Sequence, residues 1–107
     1  MIIFGLKESD ITKINEIFEK YPAVEKVILY GSRAKGNFKN GSDIDLTIVD
    51  SDLSFSQLLE IENKIDDLLL PYKIDLSQSK NITNLELLDH ISRIGKTFYL
   101  KSGTTHN

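Results

Sequence analysis

Two aspartates one residue apart, Asp43 and Asp45, lie in the stretch LYGSRAKGNFKNGSDIDLTIVD, residues 29–50. On an extended strand, residues two apart point to the same face, with Cα atoms roughly 6–7 Å apart. Carboxylates this close repel each other, and a divalent cation bound between them removes the repulsion. Hard oxygen ligands favour Mg²⁺ over softer ions. We therefore expect Asp43 and Asp45 to bind Mg²⁺.

A third aspartate, Asp75, lies in YKIDLS, where polar and apolar residues alternate as in a half-buried strand. If this strand shares a sheet with the strand that carries Asp45, the polar faces of both lie on one surface. Three carboxylates there suit a two-metal site, in which one ion activates an attacking oxygen and the other stabilises a leaving phosphate. We therefore predict Asp43, Asp45 and Asp75 as catalytic and metal-binding residues.

A Gly-Ser turn precedes the aspartate pair, with ten residues between Ser32 and Asp43. Gly31 lets a phosphate approach the backbone closely, and the Ser32 hydroxyl can donate a hydrogen bond to it. SRAK can begin a short helix whose first N–H groups bind phosphate, while Arg33 and Lys35 add positive charge. A lone D-x-D or Gly-Ser pair is most often a solvated strand end or a simple turn. Together the two patterns predict a triphosphate site, with Gly31, Ser32 and Arg33 as its nucleotide-binding residues.

The elements that must position these residues are visible as periodic patterns. Helical spacing predicts three helices, and alternation or continuous apolarity predicts the strands. Capping patterns mark the helix ends. The predicted elements, in chain order, are a helix over 11–21 capped by Ser9 or Asp10, a strand over 23–30, a strand over 43–49, a helix over 55–70 capped by Ser54 with Gln57, a strand over 72–77, a helix over 84–94 capped by Thr83 with Glu86 and ended by Gly95, and a short edge strand over 97–100. Residues 101–107 are expected to form a frayed tail.

Length and composition limit the possible classes of protein. The 107 residues predict one compact domain over 1–107, and the absence of cysteine excludes disulfides and thiolate zinc sites. No apolar run approaches the roughly 20 residues that span a membrane, and the N-terminus does not have the pattern of a signal peptide, so we expect a cytoplasmic protein. A net charge of −3 argues against charge-driven binding of nucleic acid. His90 and His106 have no partner visible in the sequence and are expected to be structural or exposed.

The segment GSRAKGNFKNGSDIDL resembles the signature of the DNA-polymerase-β-like nucleotidyltransferase superfamily, which is G-S, about ten residues, then D-x-D. The short length and the ending HISRIGKTFYL are similar to the minimal nucleotidyltransferase (MNT) branch, and the resemblance runs from about Asp10 to Leu100. It implies the nucleotidyltransferase fold, an α+β (α/β) fold with a small mixed β-sheet flanked by helices.

The resemblance also implies a role for each motif residue. Gly31 and Ser32 match the phosphate-binding turn of the family, and Asp43 and Asp45 match its metal-binding pair. Asp75 matches the third carboxylate, which helps to hold the catalytic metal and activates the acceptor hydroxyl. The implied activity is transfer of a nucleoside monophosphate from a nucleoside triphosphate, with ATP and AMP as the expected pair, to a hydroxyl group. Pyrophosphate is released.

The acceptor that the resemblance implies is a partner protein. MNT proteins are commonly paired with small helical HEPN toxins, and some act as antitoxins by adding AMP to a tyrosine of that partner. Two alternatives stay open. One is a binding module that neutralises a helical partner by complex formation, with a vestigial metal site; the other is nucleotidylation of a small molecule such as an aminoglycoside, or of an RNA end. The net acidity disfavours RNA.

Overall fold

The computed structural model describes residues 2–102, and its centre is a four-stranded mixed sheet packed against helices. The order of helices and strands predicted from periodicity is confirmed, and an N-terminal hairpin is added to it. A 3₁₀ turn, Ser79–Asn81, follows the strand that carries Asp75. The strands are β1 (Ile2–Ile3), β2 (Leu6–Lys7), β3 (Lys26–Tyr30), β4 (Ile44–Val49), β5 (Ile74–Gln78) and β6 (Lys96–Leu100); the helices are α1 (Glu8–Glu19), α2 (Ser32–Lys35), α3 (Phe55–Asp66) and α4 (Leu85–Ile94).

The four-stranded sheet has the order β5-β4-β3-β6. Strand β3 pairs antiparallel with both β4 and β6, whereas β4 and β5 are parallel and are connected through α3. Strand β6 lies at an edge, as expected for residues 97–100. The register pairs Asp45 with Tyr30 on one side and with Asp75 on the other. Because directly paired residues point to the same face, these three side chains form one row across the sheet.

The hydrophobic core lies between one face of this sheet and helices α1 and α3. Ile44, Leu46 and Ile48 of β4 are at most 1% exposed, and they pack with the apolar stripes of the two helices. The apolar residues of β4 therefore face the core, and the polar residues between them face the opposite side of the sheet. This alternation leaves Asp45 on the face that does not contribute to this core.

Helix α4 packs against the opposite face of the sheet and contacts β3 there. Its C-cap, Gly95, has an ordinary φ of −55°, so the left-handed cap typical of glycine is not formed. Glycine is needed for a different reason: a Cβ at this position would collide with the carbonyl oxygen of Ile91 and the side chain of Ile28. Gly95 therefore allows the C-terminal end of α4 to lie close to strand β3.

The helix starts test the capping predictions. The capping box of α3 is confirmed, because the Ser54 hydroxyl accepts from Gln57 N and the Gln57 side chain accepts from Ser54 N. At α4 the predicted Thr83 cap is wrong. The cap is Asn84, whose side-chain oxygen accepts from Leu87 N at 3.0 Å, so the helix begins one residue later.

The start of α1 also differs from the prediction, because an N-terminal hairpin leads directly into it. The helix begins at Glu8 after Lys7, so neither Ser9 nor Asp10 is the cap. Phe4 and Gly5 both have positive φ, which is the backbone that a two-residue hairpin turn requires. No Asn-Gly or Asp-Gly pair marks this turn, so the pattern of residues does not predict the hairpin.

The predicted frayed tail, residues 101–107, begins too early. Lys101 is held in place, because its N–H donates to Glu25 O at 2.8 Å and its ammonium group donates to Pro22 O at 3.1 Å. Residues 103–107, which include His106, lie outside the described residues. Between residues 2 and 102, no helix is both long enough and apolar enough to cross a membrane.

Candidate active site

The candidate site is built on the row formed by Tyr30, Asp45 and Asp75 across β3, β4 and β5. Asp45 is half-buried and Asp75 is exposed on the edge strand. Asp43 is exposed and immediately precedes β4, two residues from Asp45. The structure thus brings the three predicted carboxylates to one face at one end of the parallel strand pair.

The two neighbouring carboxylates affect the ionisation of Asp45. Burial raises the pKa of Asp45, and the negative charges of Asp75 and Asp43 raise this pKa further. The charges of Asp75 and Asp43 therefore oppose the ionisation of Asp45, which is the effect that a bound divalent cation would reverse. Within residues 2–102, no three acidic, histidine or cysteine side chains are arranged as a closed set of metal ligands. The donor chemistry fits a hard cation, and the carboxylates share a surface without converging on one point.

The charges of Asp45 and Asp75 also affect the phenol of Tyr30. Burial raises the pKa of Tyr30 most; a hydrogen bond with Ser77 lowers it, and the charges of Asp75 and Asp45 raise it. The phenol therefore stays protonated at neutral pH and lies beside the carboxylates as a neutral group. The ring of Tyr30 is buried.

The Gly-Ser turn is packed directly against Asp45. Gly31 has φ 77° and ψ −157°, a backbone conformation that is essentially restricted to glycine. A Cβ at Gly31 would collide with the Asp45 carboxylate, so only glycine allows this approach. Ser32 then begins the short helix α2 that the sequence predicts. The turn and the aspartate pair are thus in contact, although ten residues separate them in the chain.

The side chain of Arg33 does not face the candidate site, which corrects the prediction that it binds phosphate. It is 3% exposed. Its Nε and Nη2 donate to Ser42 O at 3.1 and 2.9 Å, and its Nη1 donates to Phe4 O at 2.9 Å. The guanidinium is therefore committed to backbone carbonyls, and its fork geometry suits two donations to one oxygen.

Aromatic rings complete the environment of this buried cation. The guanidinium carbon of Arg33 lies 5.1 Å from the ring centroids of both Phe38 and Tyr72, within the range of cation–π attraction. Arg33 therefore connects the N-terminal hairpin, the loop before β4 and the segment that precedes β5. Because Ser42 directly precedes Asp43, these hydrogen bonds lie next to the candidate site.

One residue of the candidate site was missed by the sequence analysis, which treated His90 as structural or exposed. The N–H of Gly31 donates to His90 Nε2 at 3.0 Å, across 59 positions of the chain. The imidazole also meets the ring of Tyr30 edge-on, with centroids 6.3 Å apart. The one available signal was helical spacing, because Leu87, His90 and Ile94 follow an i, i+3, i+7 pattern on one face of α4.

A cavity of about 160 Å³ adjoins Asp75 between α3 and β5. Burial raises the pKa of Glu62 at its wall, and the charges of Asp66 and Asp75 add to this. The cavity is lined by Glu62, Ile65, Asp66, Ile74, Asp75 and Leu76. It provides open space beside the carboxylate that lies at the edge of the sheet.

The fold resembles chains in solved toxin–antitoxin structures. A chain in a toxin–antitoxin crystal structure with AMP-PNP gives a TM-score of 0.66 at 22% identity, over 91% of this chain and 76% of that chain. A chain in a complex of tri-AMPylated Shewanella oneidensis HEPN toxin with MNT antitoxin gives 0.63 at 19% identity, over 88% and 72%. At these identities the likeness concerns the fold.

Two sequence comparisons give closer information. A Methanocaldococcus jannaschii protein, MJ0604, which is named as a candidate protein adenylyltransferase, is 37% identical over 62 residues. That match spans 57% of this chain and 58% of the relative, so the chain matches less than two thirds of that protein. The model of the family described as "Polymerase beta, Nucleotidyltransferase" matches residues 12–104, which include the turn, the aspartate pair and Asp75. The chain therefore belongs to the polymerase β nucleotidyltransferase family.

Proposed function

We propose that this chain is a Mg²⁺-dependent nucleotidyltransferase that moves AMP from ATP to a hydroxyl group of a partner protein and releases pyrophosphate. One observation carries the proposal beyond family membership. Asp45 and Asp75 are side by side in register, and the Gly31 turn packs directly on Asp45. A site for phosphate and a site for a hard cation therefore adjoin each other, which is what transfer from a triphosphate requires.

Asp43 and Asp45 would hold the metal, with Asp75 as the third ligand. The repulsion that raises the pKa of Asp45 is the physical basis of this assignment, because ligands that oppose each other's charge gain most from a cation. Mg²⁺ fits a set made only of carboxylate oxygens. When bound, it supplies charge neutralisation of the phosphates and Lewis-acid polarisation of the reacting phosphorus.

Gly31 and Ser32 would hold the β- and γ-phosphates. Because Gly31 carries no side chain, the turn packs on the Asp45 carboxylate, so a phosphate held by the turn would lie next to the metal-binding residues. The hydroxyl of Ser32 can donate to a phosphate oxygen, and the first N–H groups of α2 are not used within the helix. Arg33 donates to Phe4 O and Ser42 O, so its role is to stabilise the fold and not to contact the nucleotide.

The reaction is an in-line substitution at the α-phosphorus. The acceptor oxygen forms a bond to that phosphorus, the bond between the phosphorus and the bridging oxygen breaks, and pyrophosphate leaves with the bonding electrons. The hydroxyl proton would pass to Asp75. Asp75 is suited to this role because it is exposed at the edge of the sheet, beside open space that an acceptor side chain can enter.

The proposed acceptor is a tyrosine of a small helical HEPN-type protein, and the chain would act as its antitoxin, in the cytoplasm where ATP is available. The support is the set of similar proteins: an AMPylated HEPN toxin in complex with an MNT antitoxin, a toxin–antitoxin with AMP-PNP, and a named candidate protein adenylyltransferase. The exposed edge position of Asp75 is compatible with an acceptor as large as a folded protein.

Incubation with α-labelled ATP, Mg²⁺ and the protein encoded by the adjacent gene tests the proposal. We expect label on the partner, release of pyrophosphate, and loss of both with Asp43→Asn. Asp52→Asn is the matched control, because Asp52 is an exposed aspartate beyond the opposite end of β4. A tight complex without label, unchanged by Asp43→Asn, would establish the binding-module alternative. The same incubation with an aminoglycoside or an RNA in place of the partner protein tests the second alternative. Label on either of these would establish nucleotidylation of a small molecule or of an RNA end.

A further inference from the structure

We propose that His90 is a positioning residue of the nucleotide site, which holds the Gly31 peptide in place against Asp45. The inference rests on the proposed function, since it assigns how the phosphate turn of that function is kept in its working conformation. It adds a residue from α4 to a site that the sequence motifs place entirely on β3, α2, β4 and β5.

The hydrogen bond itself is the first observation. Gly31 N donates to His90 Nε2 at 3.0 Å, so this ring nitrogen is an acceptor and the ring proton is assigned to Nδ1. A backbone N–H at a strand end is usually satisfied by another backbone group. Here a side chain 59 positions away in the sequence supplies the acceptor, and the bond is partly buried.

The second observation is that the ring is held on a rigid element. Its edge-on contact with Tyr30 fixes the plane of the imidazole. Helix α4 is anchored below it by the buried side chain of Ile91 and by the close approach of Gly95 to Ile28. A site residue supported in this way keeps its acceptor in one place, which is the condition for precise positioning.

The third observation is what the bond restrains. Glycine has more accessible backbone conformations than any other residue, so the turn at Gly31 needs an external restraint to keep φ near 77°. The conformation it keeps is the one that packs on the Asp45 carboxylate. Loss of the acceptor would therefore disturb the phosphate turn and the metal-binding carboxylate together. Displacements of about 1 Å at such a site have large effects on binding and catalysis.

Three substitutions at one position separate the acceptor from the packing. His90→Gln places an amide oxygen at about the reach of Nε2, whereas His90→Asn reaches only as far as Nδ1. His90→Phe keeps the ring against Tyr30 and removes the acceptor. With AMP-PNP and Mg²⁺ as the probe and calorimetry as the measurement, we expect about tenfold weaker binding for the Asn and Phe variants, which is the value of one hydrogen bond. We expect the Gln variant to bind within about threefold of the wild type.

A second measurement does not depend on nucleotide. In ¹⁵N-labelled protein at pH 8, we expect a coupling through the hydrogen bond between the Gly31 amide nitrogen and His90 Nε2. The Gly31 and Asp45 resonances should shift in the Phe variant and return toward their wild-type positions in the Gln variant. A residue that only stabilises the fold would lower the melting temperature and leave the affinity and these resonances of the folded protein unchanged.

The outcomes are distinguishable. Wild-type affinity in folded Asn and Phe variants, failure of Gln to restore the affinity, or absence of the coupling in the wild type would each overturn the positioning role. If the Phe variant does not fold, the Asn variant and the wild-type coupling decide. A wild-type protein that shows the coupling and its dependence on residue 90, yet binds no AMP-PNP, contradicts the proposed function. The positioning of the Gly31 turn by His90 would then stand, and the turn would bind a ligand other than a nucleotide.

Discussion

Asp45 and Asp75 are paired in register on the adjacent parallel strands β4 and β5, so their carboxylates point to the same face of the sheet. Burial raises the pKa of Asp45, and Asp75 and then Asp43 raise it further. This arrangement is unfavourable for the fold, because a neutral side chain at either position would remove the repulsion. The site therefore costs some stability, as functional sites often do, and it offers a cation the charge it requires.

Replacing Asp45 with Asn should separate stability from activity. We expect the free energy of unfolding in EDTA to rise on the order of 0.5 kcal/mol, because repulsion from Asp75 and Asp43 is lost. AMP transfer should fall roughly 100-fold or more, because a metal ligand is lost. Urea unfolding and pyrophosphate release measure the two effects. Asp52→Asn should change neither quantity, and near-normal turnover in Asp45→Asn would show that Asp45 does not serve catalysis.

The same electrostatics predict how stability in EDTA depends on pH. The pKa of Asp45 is higher in the folded state than in the unfolded chain, so the folded state binds its proton more tightly. This contribution to stability is fully present below the ordinary aspartate range and is lost as pH rises through the raised pKa of the folded state. Glu62 shifts in the same direction. Asp45→Asn should therefore reduce the loss of stability over this interval without abolishing it.

Urea unfolding at several pH values, with wild type and Asp45→Asn compared at each, measures this difference. The two curves should converge at low pH, where Asp45 is protonated, and separate as pH rises, with Asp45→Asn the more stable. Curves that separate in the opposite sense would mean that Asp45 is stabilised in its charged form, contrary to the assigned repulsion.

The sequence was sufficient to predict the parts of the site that depend on local pattern. Alternation over 43–49 and 72–77 correctly indicated which residues of β4 and β5 face the core, and hence that Asp45 and Asp75 share the other face. The capping box at Ser54 and Gln57 was equally local. In each case the information lies within a few residues, at a period of 2 or 3.6.

The parts that could not be predicted depend on tertiary contacts. Arg33 looked like a phosphate ligand because it follows the Gly-Ser turn, and only the packing of Phe38, Tyr72 and Phe4 around it shows that it is buried. His90 contacts Gly31 across 59 positions, and no local pattern contains that information. Long-range contacts of this kind set the environment of a polar side chain, and this environment can differ from the one that the local sequence indicates.

Arg33→Lys tests whether the buried guanidinium is structural. Lysine keeps the charge but cannot donate to Ser42 O and Phe4 O together, and it loses the planar contact with the rings. We expect destabilisation of about 2 kcal/mol by urea unfolding, with little change in the AMP-PNP affinity of the folded protein. Lys35→Ala, at an exposed position of the same helix, should stay within about 0.5 kcal/mol. Unchanged stability with lost affinity would restore the phosphate-binding role.

Gly31→Ala and Gly36→Ala form a matched pair at the two ends of α2, because both residues have positive φ, 77° and 88°. At Gly36 a Cβ meets nothing within 4 Å, so alanine there costs only the backbone strain, roughly 1–2 kcal/mol.

At Gly31 the Cβ also collides with the Asp45 carboxylate, and the conformation is one that residues other than glycine hardly adopt. We expect Gly31→Ala to abolish AMP-PNP binding and AMP transfer, whereas Gly36→Ala binds AMP-PNP within about threefold of the wild type in the temperature range where it is folded. Calorimetric titration of both variants, with circular dichroism to establish that each is folded, makes the comparison. If both variants bound AMP-PNP equally, contact between the turn and Asp45 would have no part in holding the nucleotide.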